Sequence, residues 1–205
     1  VRAGQRLIAR AIGTNSALLY FPSPLTNSGS IVLEGDLSAE SRLRCDYPIT
    51  NNGVIDFQAQ SGALQAPLEN SGVVSVTGGA IFASYGAVYR NSGTLTIASS
   101  GWLQVFGSAQ TFVQESGSFA GSQRSSFSNM SLRYTGGTFE LQGGLATGPH
   151  LYNCILENYA AGSVSFDAMG STTMYGHVQT GQEVISRNWN GEGTSQLYFP
   201  GPVTN

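Results

Sequence analysis

One phrase occurs four times along this chain: an apolar residue, a spacer, Asn-Ser-Gly or a near variant, and then alternating apolar residues. From Leu25 to Leu33 it reads Leu-Thr-Asn-Ser-Gly-Ser-Ile-Val-Leu, and from Ile49 to Phe57 it reads Ile-Thr-Asn-Asn-Gly-Val-Ile-Asp-Phe. It returns from Leu68 to Val76 and from Tyr89 to Ile97. The phrase glycines are Gly29, Gly53, Gly72 and Gly93, and weaker copies follow at Gly117, Gly137 and Gly162. Their spacing of 19–25 residues suits a solenoid, whose turns vary in length and touch only their neighbours. A phrase carried by so many turns is a statement about architecture before it is one about an active site.

Alternation after each glycine predicts a strand with one buried and one wet face. The inward pairs are Ile31 and Leu33, Ile55 and Phe57, Val74 and Val76, Leu95 and Ile97, Phe139 and Leu141, and Val164 and Phe166. In the Gly117 copy Phe119 keeps the first inward place and Gly121 weakens the second. A second strand follows, with Leu43, Leu64, Ile81 and Leu103 aligned as inward residues, and Cys45, Ala66, Ala83 and Val105 aligned two places on. A third, short strand precedes the Asn and is often opened by a proline: Pro24, Pro48 or Pro67. No stretch sustains a helical period, and glycine is too frequent for helix. The predicted fold is therefore all-β. It is a single-stranded, right-handed parallel β-helix of about eight turns, with about three short strands per turn, running as one β-solenoid over residues 1–205.

In such a fold Asn27, Asn51, Asn70 and Asn91 stack at one corner, each followed two places on by Gly29, Gly53, Gly72 or Gly93. Asn and Gly both tolerate a left-handed backbone, so the expectation is a sharp corner built from that conformation. Stacked amides also hydrogen-bond along the column, each bond contributing about 0.5–1.5 kcal/mol. The phrase resembles the turns of right-handed β-helix proteins: filamentous-haemagglutinin-type adhesins, autotransporter passengers and the wider pectate-lyase-like fold group. The resemblance covers roughly residues 20–170 and carries the fold better than any one activity.

The two ends of the chain also match each other. Val1 to Arg10 resembles Val178 to Arg187, and Leu19-Tyr-Phe-Pro-Ser-Pro-Leu-Thr-Asn27 resembles Leu197-Tyr-Phe-Pro-Gly-Pro-Val-Thr-Asn205. Two readings are open. Either one special turn type is used twice, or the parent protein repeats a unit of about 178 residues, of which residues 1–27 and 178–205 are corresponding ends. The length and order of the match favour the second. A chain opening at Val1 with no leader sequence is read here as a piece of a longer protein, whose cut strand edges invite end-to-end stacking.

Composition narrows the function classes. Only 10% of residues are charged, there is no lysine, and the net charge is −3, so a basic nucleic-acid footprint is missing. Apolar runs fall short of the roughly 18–20 residues that span a bilayer, so no membrane insertion is expected. An uncharged chain rich in small polar residues, with 27 glycines, fits a protein that is extracellular or at the cell surface.

Catalytic material is sparse. Pectate-lyase-like enzymes, which the fold resembles, carry Asp clusters for calcium, or paired Asp with a Gly-His-Gly segment. Here the four Asp are Asp36, Asp46, Asp56 and Asp167, and Gly176-His177-Val178 lacks the second glycine and a paired Asp; the other histidine is His150. Glu34 and Asp36 share the wet face of one strand and are the candidate carboxylate pair. Clusters for zinc and the calcium-binding nonapeptide are lacking, so no metal and no cofactor is expected. Cys45 and Cys154 lie about five turns apart, roughly 24 Å at about 4.8 Å per turn, too far for a disulfide. A threonine array like that of ice-binding solenoids is broken, because the columns of Thr94 and Thr96 also hold Val32, Asp56 and Glu140.

Phe82, Trp102 and Gln104 are expected on the outer face near Gln65 and Tyr85, as a candidate contact patch for a surface glycan. The sequence thus points to a non-enzymatic structural or adhesive segment, self-associating end to end or laterally and forming a fibre. The alternative is a carbohydrate-binding or carbohydrate-cleaving β-helix, tailspike-like or lyase-like, using Glu34, Asp36, Phe82 and Trp102.

Overall fold

A computed structural model describes residues 1–36, 39–122, 125–142, 149–188 and 194–202. The side chains of Leu141 and Gln142, and the expected continuation at Val203–Asn205, lie outside the described residues. One phrase glycine to the next is one turn of a parallel β-solenoid of about eight turns with three strands per turn. The first sheet has seven strands, from Arg6–Ala11 to Thr138–Gln142. The second has nine, from Ala17–Phe21 to Gln182–Arg187, and the third has nine, from Leu25–Asn27 to Gln196–Tyr198. Each strand pairs in parallel with the strand one turn away, and no helix occurs among the described residues.

Register follows from burial. Ile31, Ile55, Val74, Leu95, Phe119 and Phe139 form one inward column of the first sheet, each 0–1% exposed. Leu33, Phe57, Val76 and Ile97 form the next. Slipping any strand by one residue would turn these columns to water, and each buried side chain contributes about 1.5–3 kcal/mol. In the later turns the core becomes aromatic. Phe112, Phe119 and Phe127 meet with centroids 5.1–6.0 Å apart, and Phe139 bridges Phe119 to Phe166 at 5.1 and 6.1 Å.

The corner column is a buried ladder of amides. Asn27 Nδ2 donates to Asn51 Oδ1 (2.8 Å), Asn51 Nδ2 to Asn70 Oδ1 (2.7 Å), Asn70 Nδ2 to Asn91 Oδ1 (2.7 Å), and Asn91 Nδ2 to Gln114 Oε1 (2.9 Å). Each Nδ2 also donates to a backbone carbonyl of the next turn: Val54, Val73, Thr94 and Ser118, at 3.0–3.2 Å. Both amide protons are therefore satisfied at every rung. Gln114 closes the run by donating to Ser116 O at 2.7 Å. The next places in register are Tyr134 and Asn158. Tyr134 turns its hydroxyl to Gly137 O (2.7 Å), which leaves Asn158 Oδ1 buried and without a donor.

The glycines after the ladder work differently from the expectation. Neither the four Asn nor Gly29, Gly53, Gly72 and Gly93 has a positive φ. What the column needs is the absence of a side chain. A Cβ on Gly53 would lie 2.2 Å from Gly29 O, one on Gly72 2.2 Å from Gly53 O, and one on Gly93 2.2 Å from Gly72 O. Those carbonyls accept the N–H of Val54, Val73 and Thr94 at 2.8–2.9 Å, so the turns touch backbone to backbone. The later copies Gly117 (φ 64°) and Gly137 (77°) do take the left-handed form, and left-handed residues also serve another corner, between the second and third sheets, at Gly86 (66°), Ala109 (62°), Asn129 (55°), Asn153 (51°) and Gly170 (62°).

The second sheet corrects one alignment. Its inward column is Leu43, Leu64, Phe82 and Val105, not Leu43, Leu64, Ile81 and Leu103. Three corner residues separate Phe57 from the strand Ser61–Gln65, but only two separate Val76 from Gly79–Phe82. One residue fewer reverses every side chain that follows. Ile81 and Ala83 are half-buried on the outer side, and Leu103 still faces in but pairs with Ala80. Cys45 (4% exposed) and Ala66 (0%) are buried as aligned.

Two substitutions test this corner. Asn70→Ala leaves Asn51 Nδ2 and Asn91 Oδ1 buried without their partners, and urea unfolding should show a loss of about 2–4 kcal/mol. Gly72→Ala forces two turns apart, and thermal unfolding should show a loss of about 1–3 kcal/mol; unchanged stability would contradict the backbone contact.

Candidate functional site

Outward positions of the second sheet stack into a stripe along the solenoid axis. Ile81, Gln104, Ser126, His150 and Asp167 occupy successive rungs in register. Trp102 is in register with Gly79, and its indole lies over that glycine: a Cβ there would be 2.3 Å from Trp102 Cε2. The ring is thus half-buried against the sheet, with Gln104 beside it. Phe82, predicted to join this patch, is instead fully buried, its ring 5.8 Å from that of Phe57 and 5.3 Å from that of Tyr89. The cause is the shortened corner, and Ile81 takes its outer place. Tyr85 is 85% exposed beyond the strand.

At the far end of the stripe three polar side chains converge. Asp167, only 1% exposed, receives Arg187 Nε on Oδ1 at 2.9 Å and faces His150 Nδ1 with Oδ2 at 2.8 Å. A buried carboxylate is tolerable because both oxygens are engaged by charge-assisted or ring N–H contacts. The three belong to consecutive strands of the second sheet, so the register places them together. Sequence reading missed this group. The turn joining His150 to Asp167 is short because the strand Val164–Met169 carries the chain past the end of the first sheet without its own first-sheet strand.

The predicted carboxylate pair is committed elsewhere. Glu34 is held by Arg6 (3.2 Å) and Arg10 (2.6 Å), and Asp36 Oδ2 accepts Gly13 N (3.0 Å). His177 lies at the corner: its N–H donates to Asn158 O (3.1 Å) and its carbonyl accepts Asn158 Nδ2 (2.6 Å). Both cysteines are buried free thiols, and burial pushes Cys154 up to about 11. Among the described residues no three His, Cys, Asp or Glu come together in a metal-holding group. No helix among them is long and apolar enough to cross a membrane.

Chemically, the stripe offers a ring face, amides, a hydroxyl, an imidazole and a guanidinium at rungs about 4.8 Å apart. Its buried carboxylate, Asp167, is already engaged by Arg187 and His150, and the exposed Glu183 lies one strand on, in register with Ser165. No family model matches the chain, and no curated protein and no solved structure matches it either.

Asp167→Asn should cost about 3 kcal/mol in urea unfolding, because it leaves Arg187 without its buried partner. A cost near zero would mean that the group adds nothing to the fold.

Proposed function

We propose that this chain is a non-catalytic structural and adhesive segment of a large repeat protein that is extracellular or at the cell surface, and that it associates with copies of itself. The reading takes up the resemblance of its turns to filamentous-haemagglutinin-type adhesins and autotransporter passengers. One observation carries it: the most repeated polar side chains, from Asn27 to Gln114, are spent on an internal ladder that ties successive turns of the solenoid together. The carboxylates support it: of the candidate pair Glu34 is held by two arginines and Asp36 accepts Gly13 N, and the buried Asp167 is held by Arg187. A surface bearing net charge −3, free of lysine, fits protein or glycan contacts better than nucleic acid.

Electron microscopy of the purified chain at high concentration should show rods joined end to end or side by side. A compact particle that hydrolyses polysaccharides would overturn the reading.

The second reading, a carbohydrate-binding face, is favoured by the half-exposed Trp102 ring beside Gln104 on the second-sheet stripe. A glycan array probed with the chain and with Trp102→Ala separates the two. Binding that the substitution abolishes supports the glycan face, and no bound glycan removes it.

A further inference from the structure

We propose that a groove at the corner between the second and third sheets binds an extended, neutral oligosaccharide running along the solenoid axis. The proposal shares its ligand class with the second reading above and places that ligand at a different site, around the corner from Trp102.

The groove follows a change in corner length. Between Phe82 and Val88 the chain spends five residues on this corner, and between Phe106 and Thr111 it spends four. Between Ser128 and Ser131, and again between Tyr152 and Ile155, it spends two. A hollow of about 400 Å³ lies over this step and spans three turns.

Its sides run along the axis in register. Thr111, Ser131 and Ile155 open successive strands of the third sheet on one side. Asn129 and Asn153, both exposed, line the other. Between the two sides lie Gln110, 2% exposed, and Met130, 4% exposed. Among the described residues no lining side chain is charged. Two places further along the strands, Arg133 and Glu157 hold each other at 2.7 Å. Amides and hydroxyls around an apolar base suit a ligand with many hydroxyls and no net charge.

Two lining amides have bonding capacity to spare. Gln110 donates Nε2 to Ser84 O (3.0 Å), and its Oε1 is buried without a donor. A sugar hydroxyl is a donor of the kind this oxygen lacks. Asn153 Oδ1 accepts Ser171 N (2.8 Å), whereas the Asn129 side chain makes no hydrogen bond among the described residues.

Aromatic rings flank the groove where the second-sheet strands run into the corner. Phe106 (39% exposed) and Tyr152 (47%) share one outward column, with Ser128 between them. Two rungs separate them, about 9.6 Å at about 4.8 Å per rung, close to the length of two pyranose rings in an extended chain. Every second sugar of a chain lying in the groove therefore meets one of these rings, which offer apolar surface to its C–H groups. Tyr85, 85% exposed, stands on the five-residue corner one turn earlier.

Isothermal titration of the whole chain with neutral β-1,4-linked hexasaccharides of glucose, mannose and N-acetylglucosamine tests this. At least one should bind, and the acidic hexagalacturonate should bind about tenfold more weakly or not at all. Ser131→Arg fills the groove from an outward position and should weaken binding about tenfold or more. Tyr152→Ala should weaken it about threefold or more. Asn129→Gly keeps the left-handed corner, removes the amide and should weaken binding about threefold. Trp102→Ala should leave it unchanged. If Ser131→Arg loses its β-sheet circular dichroism, Asn129→Gly and Tyr152→Ala decide. Equal binding of hexagalacturonate, or binding that none of the three groove substitutions weakens, overturns the proposal. Binding lost in Trp102→Ala and kept in Ser131→Arg overturns the groove while supporting the outer-face reading. No binding by any of the neutral hexasaccharides also overturns it, and rods in electron micrographs would still support self-association.

Discussion

Each ladder asparagine has two amide protons, and the structure provides two acceptors for them, one on a side chain and one on the backbone of the following turn. Failing that, a buried primary amide would be a liability at every corner. This pair of hydrogen bonds fixes how far apart successive turns sit and how they are rotated about the axis. Once these are fixed, the first-sheet strands fall into register and their apolar columns meet. The glycine two places on is a further consequence. At this spacing the backbones pass so closely that a methyl group would strike the carbonyl one turn back.

The ladder does not run the whole length. It closes at Gln114, and beyond Tyr134 the solenoid relies on stacked aromatic rings. The two devices suit different turns. Amides demand a constant corner, whereas Phe and Tyr fill uneven space in the core. The orphaned Asn158 Oδ1 marks where one device gives way to the other.

Much of this fold was legible in the sequence because period-two alternation and the Asn-x-Gly spacing are local signals. The buried pairs from Ile31 and Leu33 to Leu95 and Ile97 could be read directly, as could the burial of Val164 and Phe166, although their strand belongs to the second sheet and not to the first. What was not legible depends on corner length and on three-dimensional approach. Matching glycines places Phe82 on the outer face, because it does not reveal that one corner is a residue shorter than its neighbour. A sequence does not distinguish an unusual φ, which Gly117 and Gly137 adopt, from the close contact that Gly29, Gly53, Gly72 and Gly93 serve. The left-handed corner between the second and third sheets uses Gly86 and Gly170 in two turns but Ala109, Asn129 and Asn153 in the turns between, so glycine alone does not mark it. Asp167, His150 and Arg187 look unrelated along the chain, and only strand register brings them together.

The unequal distribution of side-chain bonds along the axis also bears on how the rod carries load. Tension applied through its ends peels strands one turn at a time, so resistance is set by the weakest turn still in place. Turns beyond Tyr134, outside the amide ladder, yield before those that carry it. The turns from Asn27 to Gln114 add side-chain bonds to every backbone ladder and yield last. A chain of such blocks would stretch in steps, shedding soft turns while rigid segments hold, and so would absorb a pull that a uniform rod would transmit whole.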